Sequence, residues 1–257
     1  MESRHLLPAA NIATYVDRIL VLEESKLFTP FLLPLYANGV PVLLFKSIKG
    51  KIDNLPSEHL TLFGQTVLPE FLSLDDSFVL IAYFFKPFTL TTLFGVAANE
   101  LTDNPTGLSL LSQKNTALLQ ERLLNTRSVE DMLTILNEHV FNLIQNAKAT
   151  CPLIRYATTE IAKNASKESL VNVQKELQLT ERSFQRIFEK KVGIAPNLYR
   201  RICQFHTAFV QLNRRRHQKL SDIAFQNGYA DQSHYIRSFK EFTHITPSEY
   251  LKFGSET

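Results

Sequence analysis

The chain has 257 residues, 44 % of them hydrophobic and 21 % charged, with a net charge of +3. That composition belongs to a folded globular protein and excludes a disordered chain. No apolar run reaches the length of a membrane span, and the first ten residues lack the basic start and apolar stretch of a secretory signal. Charge is unevenly placed: residues 1–150 carry 11 Lys and Arg against 15 Asp and Glu, and residues 151–257 carry 17 against 10. An acidic first part and a basic second part point to a division of labour in which the second meets a polyanion. The two cysteines, Cys151 and Cys203, have no metal-type spacing and read as reduced thiols of a cytoplasmic protein.

In chain order, Phe31-Leu32-Leu33-Pro34 reads as a strand, and Asn38-Gly39 as a turn before the apolar run Val40-Pro41-Val42-Leu43-Leu44-Phe45. Gly50 and Asp53-Asn54 punctuate the next connection. Residues 59–63 and 78–85 supply two further strands. Strands this continuously apolar must be covered on both faces, as in a small barrel or sandwich. Asp75-Asp76 invites a catalytic reading but fits a solvated turn better. Helical periodicity follows over 90–98, 116–124 and 128–147. In the last, Met132, Ile135, Leu136, Val140, Leu143 and Ile144 form one apolar stripe, which packs either within the chain or against a second copy. Ser128 with Asp131 forms a cap there. The break at Ala149-Thr150-Cys151-Pro152 sets a domain boundary, giving a β-rich sensing or dimerisation domain over 1–150 and a helical domain over 151–257.

Past Pro152 helices are expected over 153–162, 169–177 and 181–192, the last capped by Thr180. Two short helices joined by so tight a turn form a helix-turn-helix. The arrangement recurs over 220–227 and 232–242, with a stop at Gly228 and a cap at Asp231. Ser183-Phe184-Gln185-Arg186-Ile187-Phe188-Glu189-Lys190 aligns with His234-Tyr235-Ile236-Arg237-Ser238-Phe239-Lys240-Glu241, and each unit ends in Ile-x-Pro. A register-matched repeat is stronger evidence than either unit alone. Between them, 196–215 reads as a helix of about 30 Å, close to the ~34 Å between successive major-groove faces on one side of B-DNA.

Residues 155–253 resemble the DNA-binding domain of the AraC/XylS transcription regulators. The resemblance is carried by Phe184-Gln185-Arg186-Ile187-Phe188, Ile223-Ala224-Phe225-Gln226-Asn227-Gly228-Tyr229, Asp231-Gln232-Ser233-His234-Tyr235, Arg237-Ser238-Phe239-Lys240 and Thr246-Pro247-Ser248-Glu249-Tyr250. It implies seven helices with one recognition helix in each half, in a bacterial, cytoplasmic, sequence-specific regulator. It places base contacts at Arg182, Gln185 and Arg186, and at Gln232, Ser233, Ile236 and Arg237. Arg suits guanine, Gln suits adenine, and Ile only a thymine methyl. Lys190, Lys191, Arg200, Arg201, Arg214, Arg215, Arg216 and Lys240 suit phosphates. Two positions depart from the family: Gln204 stands where Arg is frequent, and Ala195 where Ser or Thr caps the linker helix.

The segment Phe85-Lys86-Pro87-Phe88 to Leu93-Phe94-Gly95-Val96, with Asn99-Glu100-Leu101-Thr102-Asp103, resembles the N-terminal domain of one AraC-type subgroup whose ligand is uncharacterised. No His-x-His pair, phosphate loop or nucleophile elbow occurs, so no metal, cofactor or enzymatic activity is expected. The fold class expected is α+β: a barrel- or sandwich-like first domain with helices, then two helix-turn-helix units on a linker helix. Double-stranded DNA is the expected partner, with RNA polymerase, a small and partly apolar effector and a second copy of the chain beside it. Two rivals are a protein-interaction module on the same fold and an enzymatic first domain fused to a DNA-binding one.

Overall fold

The computed structural model describes residues 1–111, 113–147, 151–214 and 219–253. Ten strands come first: β1 (Glu2–Leu6), β2 (Val16–Glu24), β3 (Phe31–Leu35), β4 (Val42–Lys46), β5 (Gly50–Ile52), β6 (Leu55–Ser57), β7 (Leu60–Phe63), β8 (Glu70–Leu74), β9 (Phe78–Phe85) and β10 (Thr106–Gly107). They form a six-stranded sheet in the order β1-β2-β9-β4-β7-β10 and a four-stranded sheet in the order β3-β8-β5-β6, every pair antiparallel. Neither sheet closes, so of the two architectures expected the protein has the sandwich and not the barrel.

Side-chain alternation along β9 explains why the central strands are apolar throughout. Phe78, Leu80 and Ala82 face the four-stranded sheet, where they pack with Leu44, Phe63, Leu72 and Leu74. Ile81, Tyr83 and Phe85 face the other way, into a core with Leu43, Phe45 and Leu62. That second face is covered by α2 (Gln113–Leu124) and α3 (Val129–Gln145), which follow the short α1 (Leu108–Leu111). Met132, Ile135, Leu136 and Val140 of α3 are buried in this core, and the Tyr83 hydroxyl donates to Asn137 Oδ1 at 2.9 Å. The α3 stripe is therefore satisfied within the chain. Ser128 caps α3 as expected, its side chain accepting from the Asp131 N–H.

Two expectations change. Asn38-Gly39 does not close a hairpin, because β3 and β4 lie in different sheets. The Asn38 side chain instead accepts from the Val40 N–H at 3.0 Å and turns the chain from one sheet to the other. The stretch 90–98 is not one α-helix but a single π-helical turn (Leu90–Phe94), broken at Gly95 with φ +70°, and then a 3-10 turn (Ala98–Leu101).

Seven helices complete the described chain: α4 (Pro152–Lys163), α5 (Lys167–Glu176), α6 (Glu181–Val192), α7 (Pro196–Asn213), α8 (Leu220–Gln226), α9 (Gln232–Thr243) and α10 (Pro247–Phe253). Their core is aromatic. Phe205 of α7 meets the rings of Phe209, Phe239 and Phe242 at 5.6, 5.6 and 5.1 Å between centroids, and Phe188 meets Tyr199 at 5.4 Å. Ala37 and Phe88, from the strand-rich part, are buried in the same core. Among the described residues no helix is long and apolar enough to cross a membrane.

Candidate DNA-binding surface

Each helix-turn-helix is built by local chemistry. In the first, Ser166 caps α5 by accepting from the Ser169 N–H at 3.0 Å, and Gln178, with φ +53°, turns the chain sharply. Thr180 then caps α6 through the Ser183 N–H at 3.3 Å. In the second, Asp231 caps α9 through the His234 N–H at 2.7 Å. These caps satisfy donors that would otherwise have no partner at a helix start.

The sequence repeat is also a repeat of burial. Phe184 and Phe188 of α6 are buried, as are their counterparts Tyr235 and Phe239 of α9. Arg186 and Arg237 are both exposed; Gln185 is exposed where Ile236 is half-buried. Arg182, Gln185 and Arg186 thus share the open face of α6, with Lys190 exposed further along. Gln232, Ser233, Arg237 and Lys240 are open on α9. Gln185 donates to Glu189 Oε1 at 2.9 Å, a bond on the same surface. His234, in the first turn of α9 and outside the expected contact set, is exposed as well; its ring stands edge-on to Tyr229.

The residues expected at phosphates divide. Lys190, Arg214 and Lys240 are exposed and Lys191 is half-buried. Arg201 is paired with Glu241, and its guanidinium lies 5.7 Å from the Phe242 ring centre. Arg200 departs from expectation: it is buried and points inward, donating to Ala165 O at 2.9 Å, Asn197 Oδ1 at 3.1 Å and Gln204 Oε1 at 3.1 Å. Its guanidinium serves the packing of α4, α5 and α7. Arg215 and Arg216 lie outside the described residues.

Gln204, the departure in the linker helix, is buried and also bridges. Its amide donates to Asn227 O at 2.9 Å while its carbonyl accepts from Arg200. Ala195 gives α7 no side-chain cap, and Pro196 opens the helix at N1. With 18 residues α7 is about 27 Å long.

Where the sandwich meets α7 and α10 there is an apolar cavity of about 320 Å³, walled by Leu44, Phe63, Leu80 and Phe84 on one side and by Phe209 and Tyr250 on the other. His206 of α7 lines it too, its pKa pulled down to about 4 by burial and by Arg18 beside it. Arg18 lies 4.0 Å above the Phe84 ring centre and shares Asp17 with Lys86, which holds that carboxylate at 2.6 Å.

A sandwich followed by two matched helix-turn-helix units on one spine defines a DNA-binding transcription regulator. Its C-terminal helices form an AraC-type helix-turn-helix domain: residues 173–252 match the family described as "Helix-turn-helix domain". Residues 4–106 match a second family, a domain of unknown function (DUF6597). Among solved structures, ToxT from Vibrio cholerae superposes with a TM-score of 0.50 at 13 % identity, covering 91 % of this chain and 97 % of that one. ToxT bound to (E)-4-(8-methylnaphthalen-1-yl)but-3-enoic acid gives the same TM-score and identity over 98 % of each chain. At that identity the likeness is one of fold. No curated protein sequence matches the chain.

Proposed function

We propose that residues 151–257 read a specific DNA site by placing α6 and α9 in successive major grooves, under the control of residues 1–150. One observation carries this: two register-matched helices, each buried on its aromatic face and open on a face of Arg, Gln and Ser, joined by a helix of about the right span. Arg182, Gln185 and Arg186, with Gln232, Ser233, Ile236 and Arg237, contact bases; Lys190, Lys191, Arg214 and Lys240 contact phosphates. Replacing both Arg186 and Arg237 by Ala costs about 1–3 kcal/mol per contact at the selected site and relaxes discrimination at the base pairs they face. A salt-controlled gel-shift titration measures it, and unchanged specific affinity refutes the assignment.

Control acts through the cavity between the sandwich and α7, which suits a small apolar molecule. The apolar acid bound to ToxT is of that kind, and Arg18, stacked on the cavity residue Phe84 and lining the neighbouring pocket, offers donors to an anionic group. Because the α3 stripe is consumed inside the chain, the structure gives this route more support than pairing of two chains through α3.

A further inference from the structure

The two reading helices end alike but are held differently. α6 ends at Gly193, with φ +102°, and α9 ends at His244, with φ +64°; in each the left-handed residue donates back into the last turn, to Glu189 O and Lys240 O at 2.9 Å. In the second unit a histidine takes the equivalent place, whereas φ +102° at Gly193 itself favours glycine. His244 is exposed, whereas Gly193 faces the strand-rich part of the chain. A Cβ on Gly193 would lie 2.8 Å from the Ala98 carbonyl oxygen and 2.8 Å from Thr102 Oγ1, closer than real side chains come. Thr102 Oγ1 donates to Gly193 O at 3.0 Å.

The partner of this cap is itself fixed. Ala98 and Leu101 of the 3-10 turn are buried in the core beneath the six-stranded sheet. The Leu101 carbonyl approaches Gly64 so closely that a Cβ there would meet it at 2.5 Å. Asp103 receives the N–H groups of Val67 and Leu68 at 2.6 and 3.0 Å, and its own N–H donates to Gln65 O at 3.0 Å. The segment 98–103 is thus a strut running from the sheet to the end of α6. Among the described residues α9 packs chiefly on α7, α8 and α10. The strand-rich part reaches the second unit through Tyr36, whose ring touches Phe209 and Tyr250, and all three rings line the cavity.

We infer that Thr102 and Gly193 form a fixed joint that positions the first reading helix against the strand-rich part, while the second unit meets that part through the aromatic wall of the cavity at Tyr36 and Tyr250. The joint lies at the end of α6 away from Arg182, so it leaves the open face free. The inference rests on base reading by α6.

The test uses the full chain and a DNA site selected by it from a random library, with binding measured to the site and to every single base-pair change. Thr102→Val removes the hydroxyl, which reaches Gly193 O at 3.0 Å and, more weakly, Ala98 O at 3.5 Å, at nearly constant shape. It is expected to weaken binding about two- to tenfold and to flatten discrimination in the α6 half-site, leaving the α9 half-site as selective as before. Thr102→Ser restores both. Gly193→Ala acts in the same direction more strongly; should it fail to fold, the Thr102 pair decides. Wild-type discrimination in Thr102→Val, or equal loss in both half-sites, overturns the joint. An Arg186→Ala arm tells which premise failed: if it too is silent, α6 does not read bases, and if it alone has an effect, the joint does not position α6.

Discussion

Gln204→Leu tests how the second helix-turn-helix is tied to the spine. The leucine nearly matches the glutamine in volume but removes both bonds at once, to Asn227 O and from Arg200. Two groups then lose partners. The Asn227 carbonyl, at the turn between α8 and α9, costs about 1–3 kcal/mol if left unsatisfied, and loss of the charge-assisted bond from Arg200 adds about 1–2 kcal/mol. Arg200 retains Ala165 and Asn197, so its charge is not abandoned, and apolar burial of the leucine returns about 1 kcal/mol. The expected net loss is about 1–4 kcal/mol. Urea unfolding at pH 7.5 measures it as a lower midpoint with an unchanged slope. Because the bridge sets the turn before α9, discrimination in the α9 half-site should fall further than in the α6 half-site. A loss under about 0.5 kcal/mol would show that neither bond contributes.

Two pH-linked predictions follow from buried bases. His206 titrates near pH 4 in the folded chain against about 6.5 unfolded, facing Arg18 and Asp17. Its lowered pKa means the unfolded chain binds the proton first, so stability is full above pH 6.5 and falls by up to about 3 kcal/mol as pH drops towards 4. His206→Gln should remove that part of the acid sensitivity in paired unfolding curves at pH 7.5 and 4.5; superimposable acid profiles would refute it. Lys46 is fully buried with Ser57 Oγ at 2.5 Å, and burial pulls its pKa from 10.5 to about 8, with Glu58 opposing. The penalty on the ammonium is complete below pH 8 and vanishes above 10.5, so Lys46→Met is expected to gain about 1–3 kcal/mol at pH 7 and less as pH rises through that window. A less stable variant at pH 7 would contradict the reading of Lys46 as a destabilising charge.

What could be read from the chain alone follows the range of the interactions involved. β9 was legible because eight consecutive residues are apolar, and the caps at Ser128, Thr180 and Asp231 because they act within three residues of themselves. β2 was missed: its apolar centre is flanked by Asp17, Arg18, Glu23 and Glu24, so it reads as an amphipathic scrap until β1 and β9 pair with it. Lys46 closes an apolar run and looks like a solvated strand end, yet register places it opposite Leu80 inside the sandwich. In the candidate site the repeat located α6 and α9. The inward turn of Arg200 stayed invisible because it is dictated by a carbonyl 35 residues away. The contact of Gly193 with Thr102 spans 91 residues and left no trace in local pattern.

The contrast between the reading faces and α7 bears on how such a protein diversifies. The open residues of α6 and α9 make few bonds to the rest of the chain, so exchanging them carries little cost to folding. α7 is bound by the first unit, the second unit and the cavity wall together, with Tyr199, Ile202, Phe205, Ala208 and Leu212 all sealed inside. A change there disturbs three sets of neighbours at once. On the base reading proposed above, descendants of this chain are free to acquire new operators one exposed side chain at a time, while their spine stays nearly as it is.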